Sequence, residues 1–419
     1  MENANQSAFQ ARQKRLDDAI ALRTPDRVPV VPLMSHYYAT RVKGISNKVS
    51  QYDIEKRCAA FRKVTLELDL DAAMDPLAVF PGKILEIMGH THIKWPGGAL
   101  RDDEPFQYLG EETLKASEYN EILRNPNEFT AKKLWPQIAE VFAPLAQISL
   151  PPLYWASGDY DLIYMLPEIL SAPPMLGMLK RLVAAAEECQ RHSALVAKEA
   201  QEMAQLGYPT VFGSVTLTAF DWIGNHFRNM RGVLTDMRRN PEKLLEMIDL
   251  LIPATIRKAI IKARMVGVPR TFIPLHWGAS GFMSNDQFAR FYWPGLKALL
   301  LGLVGEGITP IPLFEGDYTP RLEFLKELPK GKVAGHFDIV DRKKARELLG
   351  DTMCFWGNVP AALLVTGTPR QVKDDVRELI DLFGDTGGLI IDGSDGFPDE
   401  GRPENVAAMV EATREFGVY

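Results

Sequence analysis

The sequence contains few cysteines: only Cys58, Cys189 and Cys354 occur among 419 residues. They are far apart and form no CxxC pair, which argues against a disulfide framework or a zinc knuckle built from thiolates. No apolar run approaches the roughly 20 residues that a membrane-spanning helix needs. The net charge of −6 provides no basic surface for nucleic acid or an anionic membrane. We therefore expect a cytoplasmic protein that binds neither nucleic acid nor membrane.

What the sequence does contain is a repeated alternation of short apolar runs with helical stretches. No GxGxxG follows the first run and no GxxxxGK[ST] occurs, so the signatures of nucleotide-binding sheets are missing. The alternation predicts parallel strands joined by crossover helices, and we favour an α/β fold of the (β/α)8 or TIM barrel type. The eight candidate strands are 28–34, 70–74, 210–214, 271–275, 309–314, 332–335, 353–356 and 388–391. The candidate helices between them include one from about 53 to 68 with Asp53 as its N-cap, and those at 241–265, 285–303, 341–349, 369–383 and 403–416.

One stretch interrupts this alternation. Between about residues 79 and 155 the chain has pieces punctuated by Gly and Pro, such as HTHIKWPGG, and then a helical pattern at 130–146. We interpret 79–155 as a hairpin-and-helix insertion that covers the mouth of a single barrel domain spanning 1–419. It would act as a lid or as a docking surface for a partner. The sequence leaves the oligomeric state open, and a homodimer is one alternative.

Chemically active side chains collect where the predicted strands end. All strands of a parallel barrel end at one mouth, so these side chains are expected to surround a single site. Three of the seven histidines belong to this set, and histidine is rare enough in this chain for that concentration to indicate a site. The set is Ser35, His36, Asp75, Ser214, Thr216, His276, Trp277, Glu315, Asp317, His336, Asp338, Asn358, Asp392, Ser394 and Asp395.

The residues alone leave the individual roles open. His36 and the adjacent Tyr37 form either the edge of a polar aromatic pocket or ordinary packing of the first loop. Asp75 precedes a proline and either takes part in the chemistry or shapes the turn. His276 is either a site residue or a core histidine, and Trp277 beside it offers a ring for stacking on a flat substrate. Imidazole and carboxylates without thiolate suit Zn²⁺ as a Lewis acid, or a harder cation such as Mn²⁺ or Mg²⁺.

The C-terminal third carries the most specific pattern. The runs FWGNVPAALLVTGTPRQVKDDVRELI at 355–380 and GGLIIDGSDGFPDEGRPENVAAMVEA at 387–412 resemble the uroporphyrinogen decarboxylase superfamily. TPDRVPV near the start and FARFYWPGLKALL at 288–300 support the resemblance, which spans nearly the whole chain. It implies a TIM-type barrel, in agreement with the strand count.

Decarboxylases of this superfamily carry an MRQAGRY-type loop after the first strand, whose arginines hold the carboxylates of the substrate. This chain has MSHYYATRVKG there, with neither arginine in register and Arg41 farther along. The GHG-type histidine expected near the C-terminus is replaced by residues 393–396, GSDG. A porphyrinogen with four acidic groups would therefore lack its counter-charges, which disfavours decarboxylation of that substrate.

The other arm of the superfamily comprises corrinoid-dependent methyltransferases. Members that act on thiols use an HxC…C zinc site, and Glu315 here occupies the place of the first cysteine. The twenty residues between Glu315 and His336 resemble the zinc pattern Glu…Glu…His of members that demethylate aryl methyl ethers, although the first Glu would fall at Leu300. The resemblance implies that Glu315 and His336 bind zinc. Asp395, Asp317 or His276 would substitute for the missing ligand, and Asp395 is the one we expect to complete the site.

The function that the resemblance implies is methyl transfer. A methoxylated aromatic would give its methyl group to cob(I)alamin carried by a separate corrinoid protein, with zinc as Lewis acid on the ether oxygen. Two alternatives stay open: a decarboxylase of a smaller acid, and a corrinoid-binding component without catalysis. The methyl donor is open as well, since betaines, methylamines and thioethers serve comparable systems. The residues expected to be catalytic are Asp75, His36 and Glu315, and those expected to bind the substrate are Tyr37, Ser214, His276, Trp277 and Asn358.

Overall fold

Six parallel strands in chain order form the central sheet of the computed structural model, which describes residues 2–148, 158–159 and 161–419. A separate antiparallel hairpin pairs β1 (Ile93–Lys94) with β2 (Gln107–Tyr108). The strands of the central sheet are β3 (Ser214–Val215), β4 (Arg270–Leu275), β5 (Thr309–Asp317), β6 (Ala334–Ile339), β7 (Cys354–Trp356) and β8 (Leu389–Ile390).

Two further segments close this sheet into a ring. The segment 28–31 lies between β8 and the segment 70–74, which in turn pairs with the chain just before β3. Six strands and two segments thus surround one interior, and the predicted TIM-type barrel is confirmed. The backbone bonds at the closure run from Val31 N to Ile391 O, from Asp71 N to Val30 O and from Ala73 N to Pro209 O.

The seam between the first and last barrel segments is tight. The loop after β8 passes so close to the loop after 28–31 that a Cβ on Gly396 would lie 1.9 Å from the carbonyl oxygen of Met34. Gly396 has φ of +70°, a conformation that side chains other than glycine rarely adopt. Glycine is therefore required at this crossing.

Helices cover the outside of the barrel. The predicted helices 369–383 and 403–416 are confirmed with the same bounds, and Asp53 caps the predicted helix that begins at Ile54 by accepting from Lys56 N. The α-helices are Glu2–Ile20, Tyr38–Val42, Asn47–Tyr52, Ile54–Leu68, Gly82–Met88, Tyr119–Arg124, Pro126–Phe129, Trp135–Ile138, Leu166–Ser171, Pro173–Gln205, Ala219–His226, Asn229–Arg239, Pro241–Val266, Asn285–Gln287, Trp293–Gly305, Leu322–Leu325, Arg342–Leu349, Ala361–Thr366, Pro369–Phe383 and Pro403–Phe416.

In the part of the chain that the structure describes, no helix by itself has both the length and the apolar composition to cross a membrane. Ile163–Ser171 and Pro173–Gln205 meet that test only when taken together, and they are bent by 84° relative to each other.

Strand β6 differs from its predicted position. The sequence pattern placed this strand at 332–335, with His336 beyond its end, but the strand runs from Ala334 to Ile339. His336 therefore lies within the strand, opposite Leu313 on β5 and Trp356 on β7. The predicted bounds were wrong because a polar residue is ordinarily taken to mark the end of a strand. His336 is instead buried within the strand, where it is hydrogen-bonded to Asp392 in the loop after β8.

The insertion contains the predicted hairpin, and its tip reaches the first barrel loop. The ring of Phe106 lies 5.4 Å from the ring of His36 in an edge-on contact. The predicted helix 130–146 is broken at Ala139, which has extended backbone angles. Residues 149–155 of the predicted insertion lie outside the described residues. Its role as a lid or docking surface stays a prediction.

The long helix Pro173–Gln205 is fastened to the insertion by Glu188. The Glu188 carboxylate is 7% exposed and accepts from Arg191 on its own helix and from Lys83 on Gly82–Met88. The hydrogen bond from Arg191, followed by that from Lys83, lowers the pKa of Glu188 to about 2 although burial raises it. This ion pair joins two helices that are distant in the chain.

We expect Glu188→Gln to lower the free energy of unfolding by about 2 kcal/mol at pH 7, because the variant loses this charge. The folded-state pKa lies below the unfolded-state value, so the stabilisation is complete above about pH 5 and disappears as the pH falls toward 2. Urea unfolding at pH 7 and pH 3 measures the effect. Glu187→Gln, which changes an exposed neighbour, is the control and should cost less than about 0.5 kcal/mol. An equal loss at both pH values would contradict the expectation.

Candidate active site at the barrel mouth

The most accessible imidazole–carboxylate pair at the mouth joins the ends of β4 and β5. His276 Nδ1 lies 2.9 Å from Glu315 Oε2, and the two side chains are 31% and 32% exposed. Burial lowers the pKa of His276, but the hydrogen bond and charge of Glu315, together with Asp221 and Asp395, raise it overall. His276 is thus a proton donor of raised pKa at the open end of the barrel.

A β-bulge positions Glu315 for this contact. Phe314 pairs with Phe337 on β6, but the next pair is Asp317 with Ile339, so β5 contains one extra residue between the pairs. Gly316 lies in this bulge with φ of +78° and donates its N–H to Asp338 Oδ2 at 2.9 Å. Bulges bend a strand locally and redirect its side chains, and they are frequent beside active sites.

The second imidazole–carboxylate pair is buried. His336 Nε2 lies 3.0 Å from Asp392 Oδ2, and both side chains are fully buried. Asp392 also accepts from the backbone N–H groups of Leu33 and Gly393 at 2.8 and 2.7 Å. Burial raises the pKa of Asp392, although His336 and these N–H groups lower it. With Asp392 as the acceptor, His336 keeps its proton on Nε2.

The predicted pairing of Glu315 with His336 is not formed, because each side chain bonds a different partner. His336 is opposite Leu313, two residues before Glu315, so Glu315 lies nearer to the mouth than His336 does. The sequence could not show this, because the strand bounds that place His336 were predicted two to four residues too early.

Asp395, the third predicted metal ligand, is exposed in the loop after β8. Desolvation by the surrounding protein, followed by repulsion from Glu315, Asp338 and Asp392, raises the pKa of Asp395 to about 7. An exposed carboxylate with this pKa lies in a concave, acidic part of the mouth. Such a carboxylate can hold a proton or a cation near neutral pH.

The predicted metal ligands fit a zinc ion in chemistry but are not gathered around one point. His336 Nδ1 is buried and has no hydrogen-bond partner, while its Nε2 is fixed by Asp392. Metal-bound histidines commonly have this arrangement, in which a carboxylate holds the other ring nitrogen. Among the described residues, however, no three His, Cys, Asp or Glu side chains lie close enough together to hold a metal ion.

The predicted catalytic residues near the first and second barrel segments lie around a buried arginine. His36 is half-buried, and burial lowers its pKa. The charge of Asp399 raises this pKa, whereas the charge of Arg57 lowers it further. Asp75 accepts from Leu77 N at 2.8 Å, and burial raises its pKa. The proton of Asp75 is therefore retained to a higher pH than that of an ordinary aspartate, which suits a general acid.

Three of the predicted substrate-binding residues have their polar groups engaged within the protein. The Tyr37 hydroxyl is buried and donates to Gln51 Oε1 at 2.6 Å. The Ser214 hydroxyl bonds Thr271 Oγ1 between β3 and β4, and the Asn358 amide donates to Asp338 O. Burial, which the sequence pattern did not predict for strand-end residues, gives these side chains structural roles.

Trp277, another predicted substrate-binding residue, is partly buried and packs against the core. Its indole N–H donates to Asn225 Oδ1 at 2.7 Å, and its ring meets Phe282 edge-on at 5.2 Å. The backbone N–H of Trp277 donates to Asp221, which is fully buried and also accepts from the hydroxyl of Tyr292. Asp221 was missed from the sequence because it lies in a helix after β3, where its partners on other elements leave no local signal.

Comparison with known proteins places this barrel in a family. Residues 193–416, more than half of the chain, match the family model of uroporphyrinogen decarboxylase (URO-D). The chain belongs to the uroporphyrinogen decarboxylase family. Curated relatives of that name from Chlorobaculum parvum and Methylococcus capsulatus are 24% and 26% identical over 204 and 206 residues, which are 48% of this chain and 57% of each relative. The matched region therefore spans little more than half the length of these relatives.

The similarity of fold to a solved structure extends over nearly the whole of this chain. A methyltransferase from Methanosarcina mazei superposes with a TM-score of 0.63, covering 97% of this chain and 98% of the other at 15% identity. At this identity the likeness concerns the fold. In this URO-D barrel the loop after the first segment does not have the arginines that would hold the carboxylates of a porphyrinogen. The next arginine along the chain, Arg41, is exposed and pairs with Glu400.

We expect Asp392→Asn to lower the free energy of unfolding by about 2–4 kcal/mol, because an amide cannot accept from all three donors that the carboxylate satisfies. Chemical unfolding monitored by circular dichroism measures the change. Asp351→Asn, which changes an exposed carboxylate before β7, is the control and should stay within about 0.5 kcal/mol of the wild type. A similar loss in both variants would show that Asp392 has no special structural role.

Proposed function

We propose that this protein transfers the methyl group of a methoxylated aromatic compound to cob(I)alamin carried by a separate corrinoid protein. The observation that carries the proposal is the mouth of this URO-D barrel, where the carboxylates Glu315 and Asp395 act on His276. Such a mouth repels polycarboxylated porphyrinogens and suits a neutral substrate whose leaving oxygen needs a proton or a cation.

Each of three residues at the mouth would have its own role in such a transfer. Trp277 offers an apolar face to an aromatic ring. His276, held by Glu315, can give a proton to the departing phenolate oxygen, and Asp75 is a second acid across the mouth. Barrel closure keeps these groups in fixed positions, so little reorganisation accompanies the reaction.

His336, Glu315 and Asp395 are the side chains that would hold a zinc ion, and a bound ion would act as a Lewis acid that stabilises the leaving oxygen. Among the described residues, as placed in this structure, no three such side chains lie close enough together to hold it. The donor chemistry and the unpartnered Nδ1 of His336 support this part of the proposal. Thiolates are not offered here, since Cys58 and Cys354 are buried and Cys189 is on the helix Pro173–Gln205. A site without thiolates leaves the metal more electrophilic, which suits a leaving group better than activation of a thiol nucleophile.

Glu315→Gln is expected to reduce bound zinc and to lower the rate of cobalamin methylation by about 10–100-fold, because it removes a predicted ligand and the partner of His276. Metal analysis and the absorbance change of cob(I)alamin with a methoxylated aromatic measure both. Glu347→Gln, an exposed change in the helix Arg342–Leu349, is the matched control and should retain full activity. If the wild type binds no zinc, or Glu315→Gln keeps full metal and activity, the mechanism fails.

The matching curated relatives are named uroporphyrinogen decarboxylases, which supports decarboxylation as the alternative reaction. Because the arginine loop for a porphyrinogen is missing, the acid would be a smaller one, and no metal would be needed. Release of carbon dioxide by metal-free protein, without methylation of cob(I)alamin, would select that function. Capture of a corrinoid protein without turnover would select a binding component.

Trp277→Leu is expected to raise the KM for an aromatic methyl ether by about two- to tenfold, with a smaller effect on kcat, because one stacking contact is lost. Steady-state kinetics with an aliphatic methyl ether as second substrate provides the control. An equal rise of KM for both ethers would mean that Trp277 shapes the mouth without stacking on the substrate.

A further inference from the structure

The hairpin β1–β2 is joined to the rest of the protein through the two chain segments that flank it. We call these segments the hairpin root, residues 89–92 and 109–114. On one side of the root, Thr91 N donates to Ile138 O at 2.9 Å in the helical part of the insertion. On the other side, Thr113 N donates to Phe227 O at 2.9 Å, at the end of the helix that follows β3. The root therefore attaches the hairpin both to the insertion and to the barrel.

Three of the seven histidines lie at this root, and all three are partly buried. His90 and His92 belong to the root itself, and their ring centroids are 6.3 Å apart. His226 ends the helix against which the root packs, and its carbonyl oxygen accepts from Thr113 Oγ1 at 2.7 Å. The ring of His226 lies 4.6 Å from the ring of Trp222.

One hydrogen bond of the root requires a neutral imidazole. The backbone N–H of His92 donates to Nδ1 of His90 at 3.2 Å. A ring nitrogen accepts a hydrogen bond only while it carries no proton, and a protonated imidazole donates from both nitrogens. Protonation of His90 therefore breaks this bond and turns two N–H groups toward each other.

The charges around the root oppose the uptake of protons. Lys258 and His276 act on His226 through space, and the carboxylate that acts on His92 is Glu111. The charged groups beside Gly89, the residue before His90, are Glu140 and Arg181. These two have opposite charges and offset each other, so added positive charge on the three imidazoles would be opposed chiefly by Glu111 alone.

The pKa values of the three imidazoles reflect this environment. Burial lowers the pKa of His90, and the charge of His92 lowers it further. Burial also lowers the pKa of His92, although the charge of Glu111 raises it. Burial, followed by the charges of Lys258 and of the other imidazoles, lowers the pKa of His226 to about 4. All three groups are largely neutral at pH 7.

We propose that protonation of the root histidines detaches the root from the barrel, so that the hairpin leaves the mouth at acidic pH. The hairpin reaches the mouth through the ring contact of Phe106 with His36. Its release would uncover the side of the mouth on which His36 lies. This device is built into the fold and does not depend on methyl transfer.

The direction of the pH dependence follows from the pKa shifts. Each folded-state pKa lies below the ordinary imidazole value of about 6.5, so an opened root binds protons more readily than a closed one. The attachment is therefore at full strength above about pH 6.5, and it weakens as the pH falls toward the pKa of His226, about 4.

The test is amide hydrogen exchange of the full chain at pH 7.5 and pH 5.0, expressed as protection relative to the intrinsic rate at each pH. Thr91 N–H and Leu109 N–H, which donates to His92 O at 3.0 Å, report on the root. We expect their protection to fall by about tenfold or more at pH 5.0, whereas the strands of the central sheet keep theirs.

The double variant His90→Asn, His226→Phe should lose most of this fall. The Asn side-chain oxygen can accept from His92 N without taking up a proton, and Phe retains a ring beside Trp222. His192→Gln is the matched control, because burial lowers the pKa of His192 as well but this residue lies outside the root. It should show the same fall as the wild type.

Three results would overturn the proposal. They are full protection of the root at pH 5.0, an equal loss of protection throughout the barrel, and an unchanged fall in the double variant. If the double variant does not fold, NMR of the wild type labelled with ¹³C-histidine decides. The fall in protection must then follow the titration of the root imidazoles, and a fall at a different pH would contradict the proposal.

Discussion

The buried carboxylate of Asp392 is the contact on which the geometry of the barrel mouth depends. It accepts from the backbone of Leu33 in the first barrel segment, from Gly393 in its own loop and from His336 on β6. One anion thus fixes three parts of the barrel that are far apart in the chain. Removed from water, this carboxyl group is stable only while its three partners are in place. The same contact leaves one nitrogen of His336 free for chemistry.

Above this buried layer the mouth has a layer of accessible acids. Glu315, Asp338 and Asp395 repel one another, and the protein relieves the repulsion through the imidazole of His276 and the raised pKa of Asp395. Groups that compete for protons in a small volume can exchange protons or a cation with a substrate at little cost in energy. The two layers therefore have different tasks, one holding the barrel together and the other facing the ligand.

The architecture could be predicted from the sequence because it depends on local patterns. The helix Pro369–Phe383 was placed correctly since a capping box of Thr368 and Gln371 marks its start. The partners within the site could not be predicted in this way. The choice of Glu315 for His276 depends on a β-bulge and on strand register, and a buried His336 resembles a strand end in any local pattern. The topology predicted which residues belong to the site. Which of these residues form hydrogen bonds with one another could be seen only in the three-dimensional structure.

The tight crossing of Gly396 over Met34 joins the first barrel segment to the last. During translation the segment 28–31 leaves the ribosome long before its neighbour β8. Until β8 has been made, the nascent barrel has an open edge with unpaired backbone groups, which other chains can join. The order of the two segments in the chain therefore makes closure of the mouth a late step of folding.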